Sequence, residues 1–274
     1  MEVKENTPAW LSKTHPNYSR WERARDLSIE RGRFVYSIVS QIVSPVSLTV
    51  LDLGSGEGGT SEIFSKNNFV ISLDLSLIRL RRQCNSYLIF PKINASALQL
   101  PFADNSFNLI VIQDVIEHLT EVPDFHSEIK RILKNDGLIY LSTPNKLSLV
   151  NFLSDPHFEL PFVSIIKRKS IKKYFLKYFR KDDYKRSDIA ELFSLDNIIN
   201  LFQNDFQISL FTKFSVQELF KGNKGIVWSS FHIKLIAFCQ FFSLDRLLIK
   251  ITNDKIGIIN KYFTPTFYLV LKKL

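Results

Sequence analysis

Apolar and polar positions follow two rhythms along the first half of the chain. Residues 20–43 (RWERARDLSIERGRFVYSIVSQIV) run from charged to apolar at helical spacing and stop before Pro45, which predicts a leading helix. SLTVLDL (47–53) then reads as a buried strand, GSGEGG (54–59) as a glycine turn, TSEIFSKNN as a helix and FVISLD (69–74) as a second strand. This is a βαβ unit. The helical stretch SLIRLRRQC follows, then a weak strand around LIFPKIN, a strand at FNLIVIQ (107–113), a helix near FHSEIKRIL (125–133) and a strand at GLIYLST (137–143). Strands alternating with helices predict an α/β fold with a doubly wound, mostly parallel sheet.

Beyond Thr143-Pro144-Asn145 the rhythm is lost. A Phe-rich, basic region runs on without clear strands until FQISLFT (206–212), a second irregular apolar stretch covers about 214–262, and FYLVL in the terminal PTFYLVLKKL reads as a last strand. The expected organisation is a core over 20–145, a mostly helical cap over 146–262 that includes the strand near 206–212, and a terminal strand in 263–274 returning to the core sheet. No internal repeat and no long linker divides the chain.

Composition narrows the class. Of 274 residues, 45% are apolar and 23% charged, with 9 Gly and 10 Pro, which excludes collagen-like and disordered chains. Cys84 and Cys239 give neither a disulfide framework nor a CxxC pair, so a reducing compartment is expected. The first forty residues hold no uninterrupted apolar signal region, and LIAFCQFFSL (235–244) is shorter than the ~17 residues a spanning helix needs. A cytoplasmic protein is expected.

Charge adds a feature that the rhythm does not show. The net charge is +9, and residues 167–186 hold ten Lys/Arg against two Asp, so nearly all of it is local. No nucleic-acid partner is expected from so confined a patch. Within it Ile171, Tyr174, Phe175, Tyr178 and Phe179 recur at helical spacing, with Lys172, Lys173, Lys177, Arg180 and Lys181 on other faces. Such a cationic amphipathic helix fits peripheral attachment to an anionic inner membrane surface or a grip on an acidic substrate; a core-packed helix with a solvated basic face is the plainer alternative. The apolar stretch 231–251 extends such a surface, fills the cap core or forms a dimer contact.

Candidate chemistry starts at the turn. Gly54, Gly56 and Gly59 satisfy G-x-G-x-x-G between a strand and a helix, and Asp74 ends the next strand. This pattern serves several nucleoside cofactors, because glycines admit backbone to the ligand and a carboxylate after the second strand accepts from ribose hydroxyls. Gln113 and Asp114 close the fourth strand, at the edge where open α/β sheets place ligands.

The run VLDLGSGEG, with Asp52 two residues before the first glycine, resembles the cofactor loop of class I S-adenosylmethionine-dependent methyltransferases. LDLS (73–76), LQLPFADNSFNLIVI (98–112), DVIEHL (114–119) and LKNDGLIYLSTPN (133–145) agree in order and spacing with the small-molecule members related to ubiquinone-biosynthesis O-methyltransferases. The resemblance covers about residues 20–145, and more loosely the terminal strand. It implies a seven-stranded Rossmann-like methyltransferase sheet with a helical cap, S-adenosyl-L-methionine as cofactor, and methylation of a small-molecule or lipid-like acceptor, with transfer to oxygen as the expected chemistry. The implied cofactor-binding residues are Asp52, Gly54, Ser55, Gly56, Asp74, Leu75, Ser96, Ala97 and Gln113. Ser96 stands where the family usually has an Asp for the adenine amino group, and Asn108 where an Asp usually follows Phe107.

Asp114-x-x-Glu117-His118 is similar to the Glu-x-x-Glu-His that binds a divalent ion in the ubiquinone-type enzymes, which implies Asp114, Glu117 and His118 as ligands of an ion such as Mg. Alternatively, Glu117 and His118 brace a helix. Asp114, Glu117, His118 and His157 are the catalytic candidates, His157 as a general base in the substrate lid. A nicotinamide oxidoreductase and a non-catalytic cofactor-binding protein are the rival readings. Oligomeric state stays open.

Overall fold

In the computed structural model of the chain, the described residues are 12–83, 89–184, 186, 189–223, 225–226 and 230–274; Cys84 lies outside them. Seven strands, β1 (Thr49–Leu53), β2 (Phe69–Asp74), β3 (Lys92–Asn94), β4 (Phe107–Gln113), β5 (Leu133–Pro144), β6 (Phe206–Leu210) and β7 (Thr266–Lys273), form one sheet in the order β3-β2-β1-β4-β5-β7-β6. The first five are parallel, and β7 runs antiparallel to both β5 and β6.

Side chains alternate across a strand, so the continuous apolar runs of β1, β4 and β5 feed two cores at once. On one face Leu51, Leu53, Ile110, Ile112, Ile139 and Leu141 join Phe125, Ile129 and Ile132 of the helix Val122–Ile132. On the other, Val50, Leu109, Val111, Leu138 and Tyr140 meet Phe34, Val35, Ile38 and Val39. The sheet is therefore covered on both sides, as the unbroken apolar runs require.

The leading helix differs from expectation by dividing at Leu27 into α1 (Tyr18–Asp26) and α2 (Ser28–Val39). α2 packs on α3 (Gly59–Ser65), the helix that follows the glycine turn. A Cβ at Gly32 would lie 2.6 Å from Gly59 O, and one at Gly59 would lie 2.2 Å from Ser28 backbone. Two glycines thus let the helix axes approach closely and bring the residues beside Gly32 to the turn.

β5 begins four residues earlier than its apolar run, because the preceding helix ends at Ile132 and the chain is extended from Leu133, which pairs with Phe107 before a register shift leads to Leu138 opposite Leu109. The basic segment departs further. Arg168–Ser170 is a short α turn, Ile171–Leu176 is a π-helix, and the α turn Lys177–Phe179 ends at Arg180. The wider π turn buries Ile171 and Leu176 together in a small core with Phe158, Val163 and Ile189. The expected single stripe is thereby split: Ile171 faces inward while Tyr174, Tyr178 and Phe179 are exposed.

Both long insertions leave the sheet at its carboxyl edge. Residues 145–205 depart from the end of β5, and residues 211–265 depart from the end of β6 and return at the start of antiparallel β7, beside Pro144. Asn145 ties them together by donating to Asn260 O, Lys261 O and Thr264 O.

Candidate active site

The glycine turn is held to β2 by its own backbone. Gly54 N and Ser55 N both donate to Leu73 O, at 2.8 and 3.0 Å. Gly54 has φ +74, and a Cβ there would lie 2.3 Å from Val115 Cγ2, so only glycine suits the position. Asp74 closes the turn from the neighbouring strand: Gly56 N donates to Oδ2 at 2.9 Å and Ser76 N to Oδ1 at 2.7 Å. Each oxygen so bound keeps acceptor capacity. A Cβ at Gly56 would find only Gly54 O at 4.0 Å, leaving that face of the turn clear. Leu75 beside it is 76% exposed.

The chain contains a brace that motif reading missed. Gln83 is buried; its Nε2 donates to Ser55 Oγ at 3.0 Å and Gly56 O at 2.7 Å, while its Oε1 accepts from Ser72 Oγ at 2.7 Å. It locks two turn residues to β2 from the end of the helix Leu77–Arg82. A lone Gln ending a helical stretch carries no sequence signal of this.

The remaining cofactor candidates divide by surroundings. Asp52 is buried and accepts from Ser61 Oγ at 2.6 Å, tying β1 to α3; burial pushes its carboxyl up to about 6 against that bond. Gln113 Oε1 accepts from Thr60 Oγ1 at 2.7 Å. Ser96, beside Ala97 in the turn after β3, spends its Oγ on Leu98 N at 3.2 Å.

Asp114 sits at φ +52, immediately past β4, with its N–H on Ser142 O. Its Oδ2 accepts from Arg31 Nη2 at 2.7 Å. Arg31 follows from the close approach of α2 to α3, and neither its position nor its charge gives a motif. Burial raises the Asp114 carboxyl, opposed by Arg31 and then by His118.

Glu117 lies in the 3-10 turn Ile116–His118 and is fully buried. Thr143 Oγ1 donates to its Oε2 at 3.0 Å, whereas Oε1 has no hydrogen-bond partner and lies 3.9 Å from His157 Nε2. Burial, then the charge of Asp114, drives this carboxyl well above the ordinary range. Burial, then His118, Arg20 and Arg186, drives His157 well below 6.5. Both shifts favour an uncharged carboxyl–imidazole pair.

The first insertion positions this pair. Asp155 Oδ1 accepts from His157 N and Phe158 N, and Asn17 Nδ2, ahead of α1, donates to His157 O at 2.7 Å. Arg168 Nη2 donates to Glu117 O and Leu119 O, and Glu191 N also donates to Glu117 O. A cavity of about 550 Å³ lies against this grip, lined by Leu119, Thr120, Arg168, Glu191 and Phe193, and shares no residue with the glycine turn.

The metal expectation changes in two ways. The donor atoms lying within 4.8 Å of one another belong to Glu117, His118 and His157, while Asp114 is turned onto Arg31. Two imidazoles with one carboxylate do not suit magnesium, which takes oxygen ligands. The trio that the sequence resemblance implied is not the group the fold assembles.

Residues 51–141 match the family model described as a methyltransferase domain. Residues 51–141 thus carry a methyltransferase domain. An uncharacterized protein of Methanocaldococcus jannaschii is 34% identical over 54% of this chain and 64% of its own length. A demethylmenaquinone methyltransferase of Corynebacterium urealyticum is 34% identical over 35% of this chain and 42% of its own. The chain thus spans about half the length of the curated relatives it matches. The crystal structure of an S-adenosylmethionine-dependent methyltransferase from Mesorhizobium loti superposes with a TM-score of 0.54 at 13% identity, covering 86% of this chain and 95% of that one. The likeness is one of fold. The methyltransferase domain places its glycine turn, Asp74 and Asp114 at the carboxyl edge of the sheet.

Proposed function

We propose that the protein transfers a methyl group from S-adenosylmethionine to a nucleophilic atom of a small-molecule or lipid-like acceptor. The observation that carries this reading is the turn itself: an open glycine face at Gly56 beside an Asp74 carboxylate fixed by two backbone N–H groups. That donor–acceptor set fits a nucleoside whose ribose hydroxyls donate to Asp74, with exposed Leu75 against the base. S-adenosylmethionine, when bound, supplies an electrophilic methyl on a sulfonium.

The residues then have to orient an acceptor and take its proton. Neutral His157 would be the base, accepting the acceptor's proton at Nε2, while the cofactor held at the turn would supply the methyl. Buried Glu117 would position His157, its unpartnered Oε1 lying 3.9 Å from that nitrogen. Asp114, held by Arg31, orients the acceptor beside Gln113. Oxygen is the acceptor atom this base suits best; the name of the menaquinone relative supports a quinone-like, lipid-soluble acceptor, in which proton loss from ring carbon needs the same base. No step is assigned to a metal ion.

Calorimetry with S-adenosylhomocysteine tests the cofactor reading. Asp74→Ala removes charge-assisted bonds of ~1.5–3 kcal/mol and should weaken binding by roughly 10- to 150-fold. Absence of binding by the unaltered protein would end the assignment.

A further inference from the structure

The second insertion carries a surface at odds with water. Ser230–Phe241 is a 12-residue helix with apolar residues around its whole circumference, and none of its described residues is buried. Helices of that composition are covered in stable proteins. It turns at Ser243 into Leu244–Ile251, a strongly amphipathic helix whose residues are likewise not buried. Phe238, Phe241, Phe242, Leu247, Ile251 and Ile258 are between 46% and 82% exposed. Phe242 packs on both Phe238 and Phe241, at centroid distances of 4.7 and 5.0 Å, so the apolar side chains form a patch rather than scattered points.

Charge decides what covers it. Residues 230–263 contain Lys234, Arg246, Lys250, Lys255 and Lys261 against Asp245 and Asp254, a net +3 within a chain of +9. Two copies of the chain would bring like charges together around this patch, whereas an anionic bilayer surface attracts them and lets the long Lys and Arg stems reach the headgroups. The longer helix spans only ~18 Å, and no helix among the described residues is long and apolar enough to cross a membrane. Its depth fits the interface.

We infer that the helical hairpin 230–262 docks on the surface of an anionic lipid bilayer. The insertion leaves β6 and rejoins β7 at the carboxyl edge of the sheet, the edge that carries the glycine turn, Asp74 and Asp114. Docking by this hairpin therefore holds the open edge of the fold beside the lipid. The basic segment 167–186 belongs to the insertion that departs from the same edge after β5.

Sedimentation with vesicles tests the inference without reference to catalysis. The full chain should pellet with vesicles of equal parts phosphatidylglycerol and phosphatidylcholine and remain in solution with phosphatidylcholine alone. Raising salt from about 0.1 M to about 1 M, where the screening length falls from ~10 to ~3 Å, should weaken but not abolish binding. Phe241→Ser with Leu247→Ser should lower affinity at least about tenfold. Arg246→Gln and Lys250→Gln should each lower it about fivefold at low salt only. All these positions are exposed, so unchanged melting midpoints verify that the variants fold. Retention in the supernatant with anionic vesicles, or wild-type binding by the apolar double variant, overturns the inference. So does a solution dimer that the double variant splits while vesicles capture nothing.

Discussion

Replacing Gln83 by Met tests whether the glycine turn works because it is held before any ligand arrives. Met keeps the buried volume and removes all three side-chain bonds: two to the turn, at Ser55 Oγ and Gly56 O, and one to Ser72 Oγ. Ser72 is fully buried, so its hydroxyl has no access to water as a substitute partner. At ~0.5–1.5 kcal/mol per bond, and more for a group left unpaired, the variant should lose roughly 2–4 kcal/mol of stability. Binding suffers separately. If the cofactor must re-order even one turn residue, the entropic cost of ~1–2 kcal/mol weakens binding by about 5- to 30-fold. Thermal melting and calorimetry with S-adenosylhomocysteine measure the two effects on one preparation. A Gln83→Met protein that melts with the wild type and binds within twofold of it would refute the reasoning, since the turn would then be self-supporting.

The Glu117–His157 pair makes the next predictions. His157 binds its proton less readily folded than unfolded, so the stability it takes part in is present above the usual 6.5 and is lost as pH falls through and below that value. His157→Gln should flatten this acid loss in melting curves taken below pH 6.5, and should abolish turnover while leaving cofactor affinity intact. Glu117, raised by burial, destabilises the folded state increasingly as pH climbs above the usual 4.5; Glu117→Gln should therefore raise the melting midpoint near neutrality, and an unchanged midpoint would contradict its burial as a charge cost. Activity on the eventual acceptor should not depend on added magnesium, because the assembled donors do not suit that ion; loss of activity in chelator that magnesium restores would return it to the mechanism.

What the sequence made legible follows from where the signal is periodic. β2 and β4 were bounded to the residue because they are apolar runs fenced by polar turns, and each feeds both cores. The glycine turn and Asp74 were readable because their spacing is enforced by one short loop. Arg31 and Gln83 were not, since each acts from a helix face through a contact that depends on close packing elsewhere: Gly32 against Gly59 for the first, the end of Leu77–Arg82 against β2 for the second. The basic stripe misled for a related reason. Counting at α spacing placed Ile171 with Tyr174 and Tyr178, whereas the π turn pairs Ile171 with Leu176, five residues on, and turns the tyrosines outward.

The same distinction separates binding from chemistry in this fold. Every group that fixes the turn comes from residues 52–83, close in sequence, so a cofactor site of this kind can form from the core alone. The proposed base does not share that economy. His157 reaches Glu117 only because Asp155 and Asn17 tether its loop and because Arg168 and Glu191 grip the backbone at Glu117, all from outside the core strands. Insertions after β5 can therefore change length and composition without disturbing the turn, while any change in how they sit alters the acid–base pair directly. Under the proposed function, acceptor choice and proton transfer would be coupled to the insertions, and the methyl donor site to the sheet.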